Sequence, residues 1–312
     1  MRGNSWEHPG EKPGTLSPSF RSDAELNADC YSVTALPHVS PLFRDYVSGN
    51  WESLRAFYPR AAIWDGEWMK HPPAMEPNRR QAIVELLRRQ NRSFGAGPAT
   101  ESNLDRLAAG AAAVVTGQQV ALFGGPLMTL MKAATAVHLA AEASREGHPH
   151  VPIFWLASED HDFDEVNQAA FLCGKEISTL RLPHHPAPGS PVGDLPLGDA
   201  ILPLLGDLRR CLGENAITDL VASIYVPSAT FASSFATLLT QIFGQHGLIF
   251  IDAASHPFHA LAHSTILAAI QNADAIHAAL LERTRALEQA GYHAQVAVAE
   301  SSSLLFLIDN AA

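Results

Sequence analysis

Three short apolar runs stand out along the chain because they show no polar alternation: Ala111 to Thr116, Val151 to Leu156 and Leu248 to Ile251. Uninterrupted runs of this length predict strands covered on both faces, as in a parallel sheet. Apolar residues at helical spacing fill Leu127 to Arg145 and Phe231 to Phe243, and the segment Pro257 to Glu288 reads as one long helix. Pro77 is placed as the first residue of a helix over Arg79 to Arg92, with Ile83, Val84, Leu86 and Leu87 on one side. The order strand, loop, helix, strand from Ala111 to Leu156 has the length of a right-handed βαβ unit. The pattern predicts an α/β fold built on a doubly wound parallel sheet.

Other stretches depart from this alternation. Residues 1–27 are rich in glycine, proline and polar side chains, a composition expected to leave a disordered tail. Aromatics among charged residues (Phe43, Tyr46, Trp51, Phe57, Tyr58) predict short helices packed onto a body. Between the second and third strands, Lys175 to Arg181 alternates weakly, Pro183 to Gly198 is dense in proline and glycine, and Asp199 to Leu212 has helical character. The sheet core is therefore expected in two parts, 28–170 and 228–312, separated by an insertion at 171–227. Near the end, Val296 to Val298 and Leu304 to Ile308 are expected to form an antiparallel pair.

Composition narrows the function. The 312 residues carry 21 Lys+Arg against 32 Asp+Glu, a net charge of −11. Nucleic acid is not an expected partner, because its backbone requires a concentrated positive surface. No apolar run reaches the roughly 20 residues needed to span a bilayer, and a polar, Pro/Gly-rich stretch follows Met1-Arg2, so neither membrane nor export is expected and the reading is cytoplasmic. Cys30, Cys173 and Cys211 are widely spaced with no C-x-x-C pair, which predicts reduced thiols and no cysteine-rich metal site.

In an open parallel sheet, ligands bind outside the carboxyl ends of the strands. Two segments follow strands directly. The first, Gly117 to Pro126, carries Gly117, Gln118, Gln119, Gly124 and Gly125, with Lys132 one to two turns into the next helix. Backbone amides at a helix start, neutral carboxamides and one ammonium suit a phosphate or carboxylate. The pattern matches neither dinucleotide nor Walker fingerprints, and a tight turn whose glycines serve packing fits the same spacing. The second, Glu159 to Glu165, crowds Glu159, Asp160, Asp162, Asp164 and Glu165 around His161. Crowding is expected to raise at least one carboxyl pKa and to favour protonated His161. Such a loop can accept an ammonium group, serve as base toward an amine, or hold Mg²⁺; a solvated acidic turn is the plain alternative. His256, His259 and His263 share a helix face but lack a metal-site signature and read as ordinary surface histidines, while Tyr292 and His293 could reach the strand-end edge. The absence of a G-x-S-x-G elbow argues against an α/β-hydrolase.

Together, the segments Thr116 to Ala136 and Val151 to Asn167 resemble the cysteine-adding enzyme family of bacillithiol biosynthesis, supported by Leu42 to Gly49, Gly247 to Asp252 and Gly291 to Val296. The resemblance implies a Rossmann-like core with connective-peptide insertions like those of class I aminoacyl-tRNA synthetases. It also implies a C-terminal coiled coil that dimerises the protein; that portion would follow Asn310, so the sequence reads as a fragment or a truncated form, with a homodimer expected only at full length.

The implied activity is addition of L-cysteine to glucosaminyl-malate, the last step of bacillithiol synthesis. The matching positions are Gly117, Gln118, Gln119, Gly124, Gly125, Pro126 and Lys132, with Glu159, Asp160, His161 and Asp162. The malate carboxylates or a phosphate would meet the Gly/Gln segment and Lys132, and an amine would face the acidic loop, where His161 or Asp162 takes its proton. Amide formation needs an activated carboxyl, which makes ATP, and Mg²⁺ with it, candidate cofactors, although the H-x-G-H and K-M-S-K-S signatures are absent. The competing readings are a metal-assisted hydrolase using the acidic loop and a non-catalytic nucleotide- or metabolite-binding module.

Overall fold

The computed structural model describes residue 34 and residues 36–58, 66–183, 186–187 and 189–298. The chain divides into two compact units, one formed by Met1–Asp65 with Ala279–Val298 and the other mainly by Gly66–Ala278.

The larger unit holds a three-stranded parallel sheet in the order β1 (Ala112–Gln119), β2 (His150–Ala157), β5 (Ile249–Asp252). Register runs from Ala112 opposite His150 to Gln119 opposite Ala157, and from Ile153 opposite Ile249 to Leu156 opposite Asp252. Alternation along the strands sorts the core into two layers. Phe154, Leu156 and Phe250 join one cluster with Ala133 of helix α5 (Leu127–Arg145) and Phe235 and Leu239 of α9 (Phe231–Phe243). Val151, Ile153, Ile249 and Ile251 join the other, with Val84 and Leu87 of α3 (Pro77–Ser93) and Leu104 and Leu107 of α4 (Pro98–Ala108). Helices therefore flank both faces of β2 and β5, as their uninterrupted apolar runs require; β1 is an edge strand that leaves Ala113 and Val115 exposed on one face, against the expectation that its run would be covered on both. Phe154 is fully buried, and its truncation to Ala is expected to cost about 3–5 kcal/mol.

Local chemistry accounts for the helix limits. Pro77 begins α3, and the Glu76 carboxylate accepts from the amides of Asn78 and Arg79. A capping box between Thr230 and Ser233 starts α9. On α5, buried Ala133, Ala136, Ala140 and Ala143 let the helix axis lie close to the sheet. The open edge of β5 is closed by carboxamides of α3 rather than by a strand. Asn91 exchanges two hydrogen bonds with the backbone of Phe250, at 2.7 and 2.8 Å. Gln90 does the same with Asp252, at 3.1 and 3.2 Å. Buried backbone groups need partners, and these side chains supply them.

Between β2 and α9 lie α6 (Phe163–Val166), an antiparallel hairpin of β3 (Gln168–Cys173) and β4 (Glu176–Arg181), α7 (Ile201–Leu212) and α8 (Ala216–Ile224). Leu180, Leu182, Val192, Leu204, Leu208 and Tyr225 from this stretch enter the same core cluster as Phe154.

Several expectations are corrected. Gly117, Gln118 and Gln119 are the last residues of β1 and not a loop, because parallel pairing with β2 continues to Ala157. The long helix breaks into α10 (His256–Gln271) and α11 (Ala273–Gln289) at Asn272, whose side chain bonds back to the Ala268 carbonyl. Cys173 and Cys211 form a disulfide that ties the end of β3 to α7, where reduced thiols were expected. Val296–Val298 adopts no strand. The expected tail at 1–27, Cys30, His184, His185 and Leu304 to Ile308 lie outside the described residues.

In the smaller unit, α1 (Pro41–Val47) and α2 (Trp51–Leu54) are the short aromatic-bearing helices, and Leu42 and Leu54 form a small core with Leu287 and Tyr292. The Tyr292 hydroxyl donates to Asp45 at 2.6 Å, so this residue serves the small core and not the strand-end edge. That hydrogen bond to the Asp45 carboxylate raises the phenol pKa, with burial adding to it.

Candidate functional site

The carboxyl ends of the strands bring the two sequence motifs together through Gln119. Its carboxamide nitrogen donates to Asp160 at 2.6 Å and to Glu165 at 3.0 Å. The preceding residue is turned the other way, as neighbours in a strand must be. Gln118 accepts from the Lys132 ammonium at 2.8 Å, and Lys132 also donates to the Gly117 carbonyl at 3.3 Å. Lys132 is thus tied to β1, while the acidic loop is tied to the next residue of the same strand.

Beyond β1 the chain makes a 3-10 turn, Leu122–Gly124, in which Phe123 adopts φ 54°. Gly124 and Gly125 follow with φ 86° and 72°, a left-handed succession that side-chain-bearing residues rarely adopt. Pro126 then caps α5 without a side-chain acceptor, which leaves the first amides of that helix suited to an anion. Beneath the turn lies Tyr225, whose ring is 5.0 Å from that of Phe123. Full burial pushes its phenol pKa far upward, so the hydroxyl stays neutral. At Gly117 the reason for glycine is different: a Cβ would stand 2.7 Å from the Trp155 carbonyl. That position serves strand packing, as the plain reading of the motif allowed.

The acidic loop is internally ordered. Asp160 accepts from the amide of Asp162 at 3.0 Å, and Asp162 caps α6 by accepting from the Glu165 amide at 3.4 Å. Burial opposes ionisation of Asp160, but the Asp162 amide, Gln119 and the His161 amide and imidazole outweigh it and hold the carboxyl below its ordinary value. Glu159 turns away to meet His259 at 2.7 Å. His161 is exposed at the loop surface. Among the described residues no group of three or more His, Cys, Asp or Glu side chains is arranged to hold a metal ion.

Several contributors were not anticipated. The Ser158 hydroxyl donates to Asp252 at the end of β5, and the amide of Ala254 reaches both Ser158 Oγ, at 3.0 Å, and Asp252, at 3.2 Å. The segment after the hairpin docks along this rim: Val192 donates to the Asp160 carbonyl at 2.7 Å and Gly193 to the Ser158 carbonyl at 2.9 Å. A Cβ at Gly193 would come within 2.4 Å of Ser158 Cβ, so only glycine permits the approach. Next to it, Asp194 has its carboxyl pushed up by burial and by the charge of Asp252. The raised carboxyl expected from crowding is therefore supplied from outside the acidic loop. Its sequence signal was a Gly-Asp pair in a proline-rich segment, too common to single out. His259, read as an ordinary surface histidine, is the partner of Glu159.

A parallel sheet with flanking helices and a polar, charged carboxyl rim defines a Rossmann-like α/β domain. The model for the family "Bacillithiol biosynthesis BshC, N-terminal Rossmann-like domain" matches residues 26–312, and the chain belongs to that family. It is 37% identical over 288 residues to "Putative cysteine ligase BshC" of Koribacter versatilis, covering 91% of this chain and 54% of the relative. The proteins of the same name from Solibacter usitatus and Salinibacter ruber are 35% and 33% identical, covering 91% and 93% of this chain. The chain spans about half, 54%, of the length of each of these relatives. No helix among the described residues is long and apolar enough to cross a membrane.

Proposed function

We propose that this chain supplies the substrate-binding rim of a cytoplasmic ligase that joins L-cysteine to glucosaminyl-malate through an amide bond, completing bacillithiol. Membership of the family supports the reaction class. The Gln119 bridge to Asp160 and Glu165 carries the reading, because it ties the end of the first motif to the acidic loop at the strand ends. In this reading the α5 amino terminus and Lys132 take the malate carboxylates or a phosphate. The amine of glucosaminyl-malate, a cation when protonated, is drawn to the acidic rim.

Of the acidic-loop residues, Asp160 is committed as a hydrogen-bonded anion and Asp162 as a helix cap. The imidazole of His161, beside the Asp160 carboxylate on the same loop, takes the proton as the amine nitrogen attacks the activated cysteine carbonyl and the phosphate-bearing leaving group departs. A carboxylate is not electrophilic, and ATP would supply the activation, with Mg²⁺ shielding its phosphates. The homodimer belongs to the longer form of the protein.

The test is mass-spectrometric detection of bacillithiol from cysteine and glucosaminyl-malate, with and without ATP, using a chain extended to the relatives' length. Product only with ATP is expected. Product without nucleotide removes the ATP step, and no product in either case removes the ligase reading. His161→Asn is expected to lower kcat with KM little changed; an unaltered kcat excludes His161 as the base.

A further inference from the structure

The opposite, amino-terminal edge of the sheet holds a cavity that the proposed reaction does not use. It has a volume of about 190 Å³ and is lined by Asn103, Arg106, His150 and His246, with Val137 and Pro152 among its apolar residues. That space holds several waters and is open on one side, which suits a small solute or one charged group of a larger molecule. His150 is the first residue of β2 and Ala157 the last, so about 25 Å of strand separates the cavity from the acidic loop.

Arg106 is the charge in its wall. The guanidinium donates to Asn103 Oδ1 at 2.8 Å, Ser144 Oγ at 2.7 Å and the His150 carbonyl at 3.0 Å. All three acceptors are neutral, and among the described residues Arg106 forms no ion pair. The surrounding groups hold their orientation. The Asn103 amide is anchored on the Gly247 carbonyl at 2.8 Å, and His150 Nδ1 donates to the His148 carbonyl at 2.8 Å. The His150 ring also meets Trp68 edge-on at 5.3 Å. His246 lines the cavity from an exposed position. A half-buried cation fixed by dipoles alone keeps its charge uncompensated, and a planar guanidinium is well matched to carboxylate and phosphate.

We propose that this cavity binds a small oxyanion, the carboxylate or phosphate group of a metabolite, with Arg106 as its charge partner and His246 as a further donor. It is a second site, separate from the reaction rim. The experiment titrates the whole chain with inorganic phosphate and, separately, with succinate, at ionic strength held constant with sodium chloride, following the imidazole signals of His150 and His246 by NMR. Saturable shifts of both imidazoles are expected. Saturation by phosphate alone assigns a phosphate ligand, and by succinate alone a carboxylate ligand.

Arg106→Gln is expected to weaken binding roughly tenfold or more, the scale of a charged hydrogen bond, and His246→Ala severalfold. His246→Ala leaves the buried clamp intact and decides the question if Arg106→Gln does not fold. No saturable shift with either anion, or unchanged affinity in His246→Ala, overturns the proposal.

Discussion

The Gln119 carboxamide donates to the Asp160 carboxylate at 2.6 Å, and that bond holds the end of β1 to the loop that follows β2. A neutral donor between Asp160 and Glu165 lets both carboxylates stand at one rim without direct opposition.

Gln119→Leu removes both of these hydrogen bonds. The Asp160 carboxyl is expected to rise toward its ordinary pKa, and ligase kcat/KM of the extended chain to fall about ten- to a hundredfold, the scale of a charged hydrogen bond. Carbon-13 NMR titration of Asp160 checks the first part. An unmoved carboxyl would show that the Asp162 amide and His161 set its acidity without Gln119.

Two carboxyls at the rim should affect stability with opposite sign. Asp160 has a folded pKa below its unfolded value, so it contributes stability above the unfolded pKa that is lost as pH falls through the folded one. Asp194 has a raised folded pKa; its contribution is present below the unfolded pKa and is lost as pH rises through the folded one. Asp160→Asn should therefore lower Tm at pH 7, and Asp194→Asn should raise it. Both differences should shrink toward pH 3. A pH series of thermal melts on the two variants tests the signs.

Gly193→Ala places a methyl 2.4 Å from Ser158 Cβ and 2.9 Å from its carbonyl oxygen. The segment must back away, breaking its hydrogen bond to Ser158, at an expected cost of about 1–3 kcal/mol. Urea denaturation measures this. Loss of ligase activity beyond the loss of folded protein would show that the docked segment shapes the rim.

The Cys173–Cys211 bridge closes a separation of 38 residues, worth up to about 4 kcal/mol by chain entropy. Cys211→Ser should lose most of this under oxidising conditions and match the parent protein in dithiothreitol. Equal stability of the parent with and without reductant would mean that the bridge adds nothing.

Much of the sheet was legible in the sequence, because β2 and β5, buried on both faces, leave uninterrupted apolar runs; β1 shows the same run although Ala113 and Val115 are exposed. α5 and α9 have the same limits in the pattern and in the structure. The misreadings arose where tertiary partners decide. Pairing with β2 extends β1 through Gly117, Gln118 and Gln119, which composition reads as loop. No sequence signal marked Asn91 and Gln90, which close the edge of β5. At the rim, the two motifs were visible as local clusters. Gly193, Asp194 and Ser158 were not, because their role depends on an approach between segments over 30 residues apart in the chain.

The clasp between Val192–Gly193 and the Ser158–Asp160 backbone has an evolutionary corollary. Residues that follow the hairpin are coupled straight to the strand ends, so under the proposed function drift in that stretch retunes which molecules the rim accepts while the buried scaffold stays the same. Lineages that diverge in substrate preference should then differ most around Asp194, and least along β2.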